Sequence, residues 1–463
     1  MGMAQLKKRF PSQIKYIVGN EACERFSFYG MRSILVVFMI SHLAMAEHDS
    51  KGVFHLFVSA NYFLPLFGAY LADRYLGKYP TIIYLSLVYC LGHLVLALFE
   101  SKTGLYCGLG LIAIGAGGIK PCVSAHVGDQ FDKTNSELLN KVYEIFYWSI
   151  NFGSFFSTML IPIILTRVGP SWAFGVPGIL MAIATYVFWL GRTKFIAVPP
   201  SGKEGSARFW GILLYSITHL GERRPGESFL EVARQKYDRQ RVDGATAAVN
   251  VFKVFIFVTA FWALFDQHSS SWILQAQKMD LNFFGLKLEA SQVQAANPIL
   301  VMVLIPIFSW WIYPAIVRLG IAVTPLRKMG AGMVLAGFSF VVVGALEIML
   351  TRGTHLNVAW QLIAFTILTA AEVLVSITGL EFAYTQAPRS MKSTLMSLWL
   401  LTIAAGNFLT ATLSMVNPFQ GRGAMEFFFY AGLMFVVAVM FMISASKYQE
   451  RSYVEGYGTA PAF

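Results

Sequence analysis

The sequence predicts an all-α membrane protein with twelve transmembrane helices in two six-helix halves. Three observations predict it: apolar runs of bilayer-crossing length recur along the chain, charged residues make up only 13% against 56% for the apolar set, and Lys and Arg are abundant in every second connection. A soluble domain carries about 25% charged residues, so a water-soluble globule, a disordered chain and a collagen-like fibre are excluded. Four cysteines in 463 residues exclude a small disulfide scaffold. Cys23, Cys90, Cys107 and Cys122 lie in apolar stretches without zinc-ligand spacing and read as fillers of core or lipid-facing surface.

A run of about 20 apolar residues crosses the hydrocarbon core as a helix. Such runs fall at residues 14–45, 53–72, 80–100, 105–126, 143–166, 172–190, 250–275, 291–317, 329–350, 358–384, 393–415 and 424–446. The formal net charge of +11 raises nucleic-acid binding, and the placement of the charge answers it. With the N-terminus inside, the outer connections hold Lys51, Lys102, Arg167, Lys278, Lys287, Arg352 and Arg422. Arg25, Arg32 and Lys120 fall within spans, leaving 26 of the 36 basic residues on the inner side. That bias is the positive-inside pattern. It reports an inner or plasma membrane protein with both termini cytoplasmic, and no nucleic-acid partner.

No cleavable signal peptide is expected, because Glu21, Glu24 and Arg25 break the first apolar run. Met1-Gly2 lacks the Ser or Thr at position 6 that N-myristoylation requires; Leu6 stands there. The one large composition shift is residues 192–249, charged and containing Pro, Gly and Ser. It divides the chain into a bundle at 1–191, a cytoplasmic connection at 192–249 and a bundle at 250–463. The stretch ESFLEVARQKYDRQRV (227–242) is expected to be helical, with charged faces suited to the membrane surface or the undersides of the spans. A 6+6 layout around a central basic loop is common among secondary transporters, where substrate sits near the midplane.

Enzymatic motifs are missing. Gly110, Gly115, Gly117 and Gly118 have neither a preceding strand nor a spaced acidic partner, so they read as close helix packing rather than a nucleotide loop. Gly77-Lys78 lacks phosphate-loop spacing, and no HExxH or GxSxG occurs. An enzyme, a metal site and a bound cofactor are therefore not expected.

Ionisable groups inside a bilayer cost roughly 2.5–3.5 kcal/mol each on the insertion scale. They persist where they pair or line a wet cavity. Glu21, Glu24, Arg25, Arg32, His55, Lys120, Asp266 and Glu372 fall in or at the spans. At 1.5 Å per residue, Glu21–Arg25 lie about 10–16 Å above the inner end of the first span, Arg32 about 27 Å above it and Asp266 about 24 Å up the seventh. An inner cluster of Glu21, Glu24, Arg25 and Lys120 and an outer cluster of His55, Arg32 and Asp266 follow, with Glu372 near mid-depth in the second half. Glu21 and Arg25 are four residues apart on one helical face. A static ion-pair staple is one use of such a cluster. A carboxylate that ionises when a cation is near and protonates when it leaves is another, and it would couple proton uptake to helix movement. His55 alone is also compatible with an interfacial histidine.

At these residues the sequence resembles the proton-coupled oligopeptide transporters of the major facilitator superfamily. E-A-C-E-R-F-S-F-Y-G (21–30) is close to that family's E-x-x-E-R-F-x-Y-Y. G-A-Y-L-A-D-R-Y-L-G-K-Y-P-T-I (68–82), G-G-I-K-P-C-V-S (117–124) with D-Q-F (129–131), F-Y-W-S-I-N-F-G-S (146–154), F-W-A-L-F-D-Q (261–267) and E-V-L-V-S-I-T-G-L-E-F-A-Y-T-Q-A-P (372–388) continue the match in order. The resemblance implies symport of di- and tripeptides with protons as co-substrate, by alternating access of two six-helix bundles. A monomer in the lipid bilayer is expected, since nothing in the chain asks for a protein partner.

The resemblance also implies residue roles. Arg25, Lys120 and Asn151 would hold the peptide carboxylate, and Glu372 with Asn297 its amino group. Ser376 would join this substrate set, Tyr29 and Tyr62 would line the peptide backbone, and Trp262 and Trp399 would wall side-chain pockets. Glu21 and Glu24 would handle protons, with His55 added as in animal members. Asp266 and Arg32 would form an outer gate pair. Three departures matter. Phe28 replaces the motif's first tyrosine and removes a hydroxyl. Ser376-Ile377 stands where bacterial members commonly have Ser-Pro, so span ten lacks the proline that would kink it there. The central connection is too short and polar for the two extra helices of many bacterial members. A related transporter of nitrate or another small solute is the alternative on this scaffold.

Overall fold

Apolar helices that satisfy their own backbone hydrogen bonds are the economical way to occupy lipid, and helices are what this chain forms. The computed structural model describes residues 10–131, 138–200, 207–223, 227–386 and 391–448. In the first half they are α1 (Ile14–Ser41), α2 (Glu47–Phe63), α3 (Pro65–Leu71), α4 (Lys78–Leu98), α5 (Lys102–Asp129), α6 (Leu139–Arg167) and α7 (Pro170–Leu190). The connection contains α8 (Ala207–Thr218). Then come α9 (Arg239–Phe255), α10 (Val258–Phe265), α11 (Ser271–Ala276), α12 (Ala296–Ile307), α13 (Tyr313–Arg318), α14 (Pro325–Thr351), α15 (Gln361–Glu372), α16 (Thr378–Thr385), α17 (Lys392–Val416) and α18 (Gly423–Ser446).

Among the described residues, ten helices or helix runs are long and apolar enough to span a membrane, and eleven if the pair Arg239–Phe255 and Val258–Ala276, bent by 47°, counts as one. The twelfth expected span is α1. Its 28 residues reach about 42 Å, but Lys15, Glu21, Glu24, Arg25 and Arg32 make it too charged to qualify by composition.

Several spans are interrupted where the backbone pattern changes. Pro65 opens α3 directly behind α2, and π-helical turns occupy Ala72–Leu76 and Phe308–Ile312. Span ten also breaks, with a π-helical turn at Val373–Ile377 between α15 and α16. The lack of proline at Ile377 therefore does not leave that helix regular, because one extra residue per turn distorts the ladder on its own. The connection likewise differs from expectation. The predicted helix over 227–242 is a 3₁₀ turn at Glu231–Gln235 followed by α9, which starts at Arg239, eleven residues before the expected second half. Residues 224–226 and 201–206 of the connection, and Ala387-Pro388 of the tenth-span motif, lie outside the described residues.

The chain forms two compact units, Met1–Gly202 with Ser269–Ile299, and Lys203–His268 with Leu300–Phe463. These divisions differ from the boundaries expected at 191 and 250. Segment 269–299 joins the first unit through specific bonds. Gln292 Nε2 donates to the Met159 carbonyl (2.7 Å), Gln294 Nε2 to the Ser33 carbonyl (3.3 Å), and Thr166 Oγ1 to Glu289 Oε1 (3.1 Å). The segment carries a tight hairpin, β1 (Asn282–Phe283) paired antiparallel with β2 (Leu286–Lys287). Phe284 (φ 47°) and Gly285 (φ 87°) form its turn, the two left-handed positions such a hairpin needs.

Glycine sets the helix spacing in the first unit. A Cβ at Gly115 or Gly118 would run into α4 at Tyr89 or Leu85, and one at Gly117 into Leu64. The packing role read from the sequence holds for these three; Gly110 has nothing within 4 Å. A Cβ on Gly68 would overlap the backbone of Gly117 and Gly118. Gly68→Val is therefore expected to lower stability by about 1–3 kcal/mol, read as a drop in melting temperature and in monodisperse yield in detergent, whereas Gly110→Ala is expected to match the parent in both.

Candidate functional site

In the first unit the helical spacing of α1 stacks Glu21 and Arg25 on one face. Arg25 Nε donates to Glu21 Oε1 at 2.6 Å and lies 3.1 Å from Glu24 Oε2. Glu21 and Glu24 are fully buried and Arg25 is nearly so. A guanidinium shared by two carboxylates is an arrangement in which removing Arg25 leaves two buried acids without their cation, at a cost of about 3–5 kcal/mol.

Lys120, on α5, lies in the field of Glu24, Glu21 and Arg25. Its ammonium makes no hydrogen bond among the described residues. It sits 4.1 Å from the centroid of the Phe28 ring and 4.8 Å from that of Tyr62. Phe28, read from the sequence as a lost hydroxyl, thus supplies a π face to the cation. Tyr29 is half-buried with its ring edge-on to Phe28 at 5.5 Å. Asn151 is buried on α6 and donates to the Tyr147 carbonyl at 2.9 Å.

His55 is completely enclosed rather than interfacial, and its Nε2 lies 2.8 Å from Ser270 Oγ. Ser270 was not singled out from the sequence, although the polar run Gln267–Ser271 inside an apolar span was a signal for it. Arg32 is buried with its guanidinium 5.4 Å from the Phe54 ring centroid. Asn297 is half-buried at the start of α12, within the first unit rather than the second.

In the second unit Asp266 follows α10 in a 3₁₀ turn, and its Oδ2 accepts from Asn407 Nδ2 at 2.6 Å. Asn407, on α17, was likewise missed; an isolated asparagine in an apolar helix was its only mark. Trp262 and Trp399 are buried and meet edge to face at 6.2 Å. Gly379 makes room for the Trp399 ring, which a Cβ there would overlap. Glu372 ends α15 and Ser376 lies in the π-helical turn that follows; both are half-buried. The extra backbone residue at that turn rotates the side chains after Glu372 relative to those before it.

The structure is that of an all-helical, multi-pass membrane protein whose acids and bases are enclosed among its helices. A family model described as "PTR2: POT family" matches residues 79–425, and the chain belongs to the POT family. It is similar to the human Solute carrier family 15 member 2, 38% identical over 395 residues, covering 80% of this chain and 54% of that one; the chain spans about half the length of the curated relatives it matches. The crystal structure of the POT family transporter PepTSo is 40% identical with a TM-score of 0.88, covering 95% of this chain and 99% of that one. A proton dependent oligopeptide (POT) family transporter is 41% identical with a TM-score of 0.79, covering 92% and 100%.

Asn407→Leu is expected to destabilise the second unit by about 1–3 kcal/mol, because it removes a donor from the buried Asp266 carboxylate. A thermal melt in detergent reads this as a lowered midpoint, and Asn407→Asp, which sets like charges together, is expected to fall further.

Proposed function

We propose that this chain is a proton-coupled symporter of di- and tripeptides, working by alternating access of a bundle at 1–191 and a bundle at 250–463 joined by 192–249. It resides in the inner or plasma membrane with both termini in the cytoplasm. The observation that carries the reading is Lys120: a buried ammonium with aromatic faces around it and no hydrogen-bond acceptor among the described residues. A desolvated cation of this kind gains most from an incoming carboxylate. The names of the similar structures, a POT family transporter and a proton dependent oligopeptide family transporter, support it.

A zwitterionic peptide carries one charge at each end. Arg25 and Lys120, with Asn151, serve its carboxylate; Glu372, with Asn297 and Ser376, serves its amino group. Tyr29, Tyr62, Trp262 and Trp399 give apolar walls with few directional bonds, which tolerate varied side chains. Glu21 and Glu24 exchange Arg25 for a proton, so protonation releases the guanidinium toward the peptide. His55, Arg32 and Asp266 serve the outer stage of the cycle. One proton moving down one pH unit and 100 mV supplies about 3.7 kcal/mol, enough for a peptide gradient of a few hundredfold.

Proteoliposomes given an inward proton gradient are expected to accumulate a labelled dipeptide, which mass spectrometry recovers intact. Nitrate uptake in its place, with no dipeptide entry, would overturn the reading. Lys120→Ala and Glu372→Gln are each expected to abolish driven uptake at near-normal expression. Glu21→Gln and Glu24→Gln are expected to impair driven uptake more than peptide counterflow; equal loss in both assays would make these residues structural.

A further inference from the structure

Behind Glu24 runs a second polar feature that the peptide and its proton do not account for. On α1 it comprises Asn20, Glu24 and Ser27; on α4 it comprises Ser86, Tyr89 and His93. All six are fully buried. Ser27 Oγ and His93 Nε2 meet at 3.0 Å, which fixes the register of the two helices there. Both run in the same sense, separated by one intervening span, and both pack on α7. Glu24 and Tyr89 lie one helical turn before that contact and Asn20 and Ser86 two turns before it, each on the same face of its own helix as Ser27 or His93. The Tyr89 hydroxyl lies in the field of Glu24 and beside Ser27.

The outer end of this stripe is closed. Ser27 Oγ donates to the Pro177 carbonyl at 3.0 Å and His93 Nδ1 to the Phe174 carbonyl at 3.1 Å. The rest is not. Among the described residues Asn20 Nδ2 and Oδ1, Ser86 Oγ, Tyr89 OH and both Glu24 oxygens make no hydrogen bond, and Glu24 has an ion contact with Arg25. A buried polar group left in that state costs about 1–3 kcal/mol. Proteins meet such clusters with internal water that takes two to four partners. An ionised carboxylate has about four acceptor sites, and Arg25 meets Glu24 as an ion contact at 3.1 Å without filling one by a hydrogen bond.

We propose that Asn20, Ser86 and Tyr89 hold bound water that solvates the ionised Glu24 from the α4 side of α1. The three are positioning residues: their amide and hydroxyl groups orient the water, and the water donates to the carboxylate. Glu24 therefore keeps hydrogen-bond donors when Arg25 turns away. The role in transport rests on the symport reading; the water site does not.

Hydroxyl-radical footprinting of the full chain in lipid nanodiscs tests the site directly, because bound water generates radicals beside buried side chains. Tyr89 is expected to oxidise at least about threefold faster than Phe174, an equally buried aromatic ring on α7, and to fall to the Phe174 rate in Asn20→Leu/Ser86→Val. A wild-type Tyr89 that oxidises no faster than Phe174 overturns the proposal. In proteoliposomes Asn20→Leu is expected to lower proton-driven uptake about fivefold while counterflow stays within about twofold, with Asn20→Gln recovering most of the loss. Parallel loss in both assays, or no loss in either, overturns the solvating role. If the wild type shows no proton-driven uptake at all, the symport reading fails and footprinting alone decides the water site.

Discussion

Charge held out of water governs this molecule. Three ionisable side chains of α1 lie within five residues, with Arg25 2.6 Å from Glu21 and 3.1 Å from Glu24, in a helix that has to sit among apolar neighbours. Each ion alone would be costly there. Two acids and one guanidinium sum to one negative formal charge, and the Lys120 ammonium beside them brings the cluster to neutrality. The surroundings of that ammonium soften its cost by a route that needs no acid: two ring faces within 5 Å offer quadrupole attraction in place of hydrogen bonds. The cation is thus tolerable in a site without a hydrogen-bond acceptor among the described residues.

The scaffold places these groups by packing rather than by polar bonds. Glycines on α3 and α5 let backbones approach to contact, so Lys120 rides on a helix held tightly against α3 and α4. Where the helices are irregular, the irregularity falls beside chemistry. The π-helical turn begins at the residue after Glu372, the 3₁₀ turn begins at Asp266, and Ser270 lies at the break that follows. A wide or tight turn re-aims side chains and loosens the backbone ladder, which suits positions that must change partners.

Much of the fold was legible in the sequence because lipid imposes simple rules. A span must be long, apolar and helical, and basic residues stay inside. The ordered motifs around Glu21–Arg25, Lys120, Asp266 and Glu372 were legible for a related reason: an intramembrane charge is conspicuous against an apolar background. The uncharged partners were hidden. Ser270 beside His55, Asn407 beside Asp266, and the Asn20–Ser86–Tyr89 set carry no net charge and are common enough in helices to pass unnoticed. At Phe28 the sequence records the loss of a hydroxyl but not that the Lys120 cation faces the ring.

The sequence by itself therefore determined the membrane class, the succession of spans and the location of the ionisable groups, because each follows from the transfer free energy of single residues along the chain. Tertiary structure decided the rest: that segment 269–299 packs with the first unit, that helix ten takes a π-helical turn without a proline, and which neutral side chains meet His55 and Asp266. Those outcomes depend on contacts between residues up to 261 positions apart, as between Ser33 and Gln294, and no local pattern along the chain encodes such a distance.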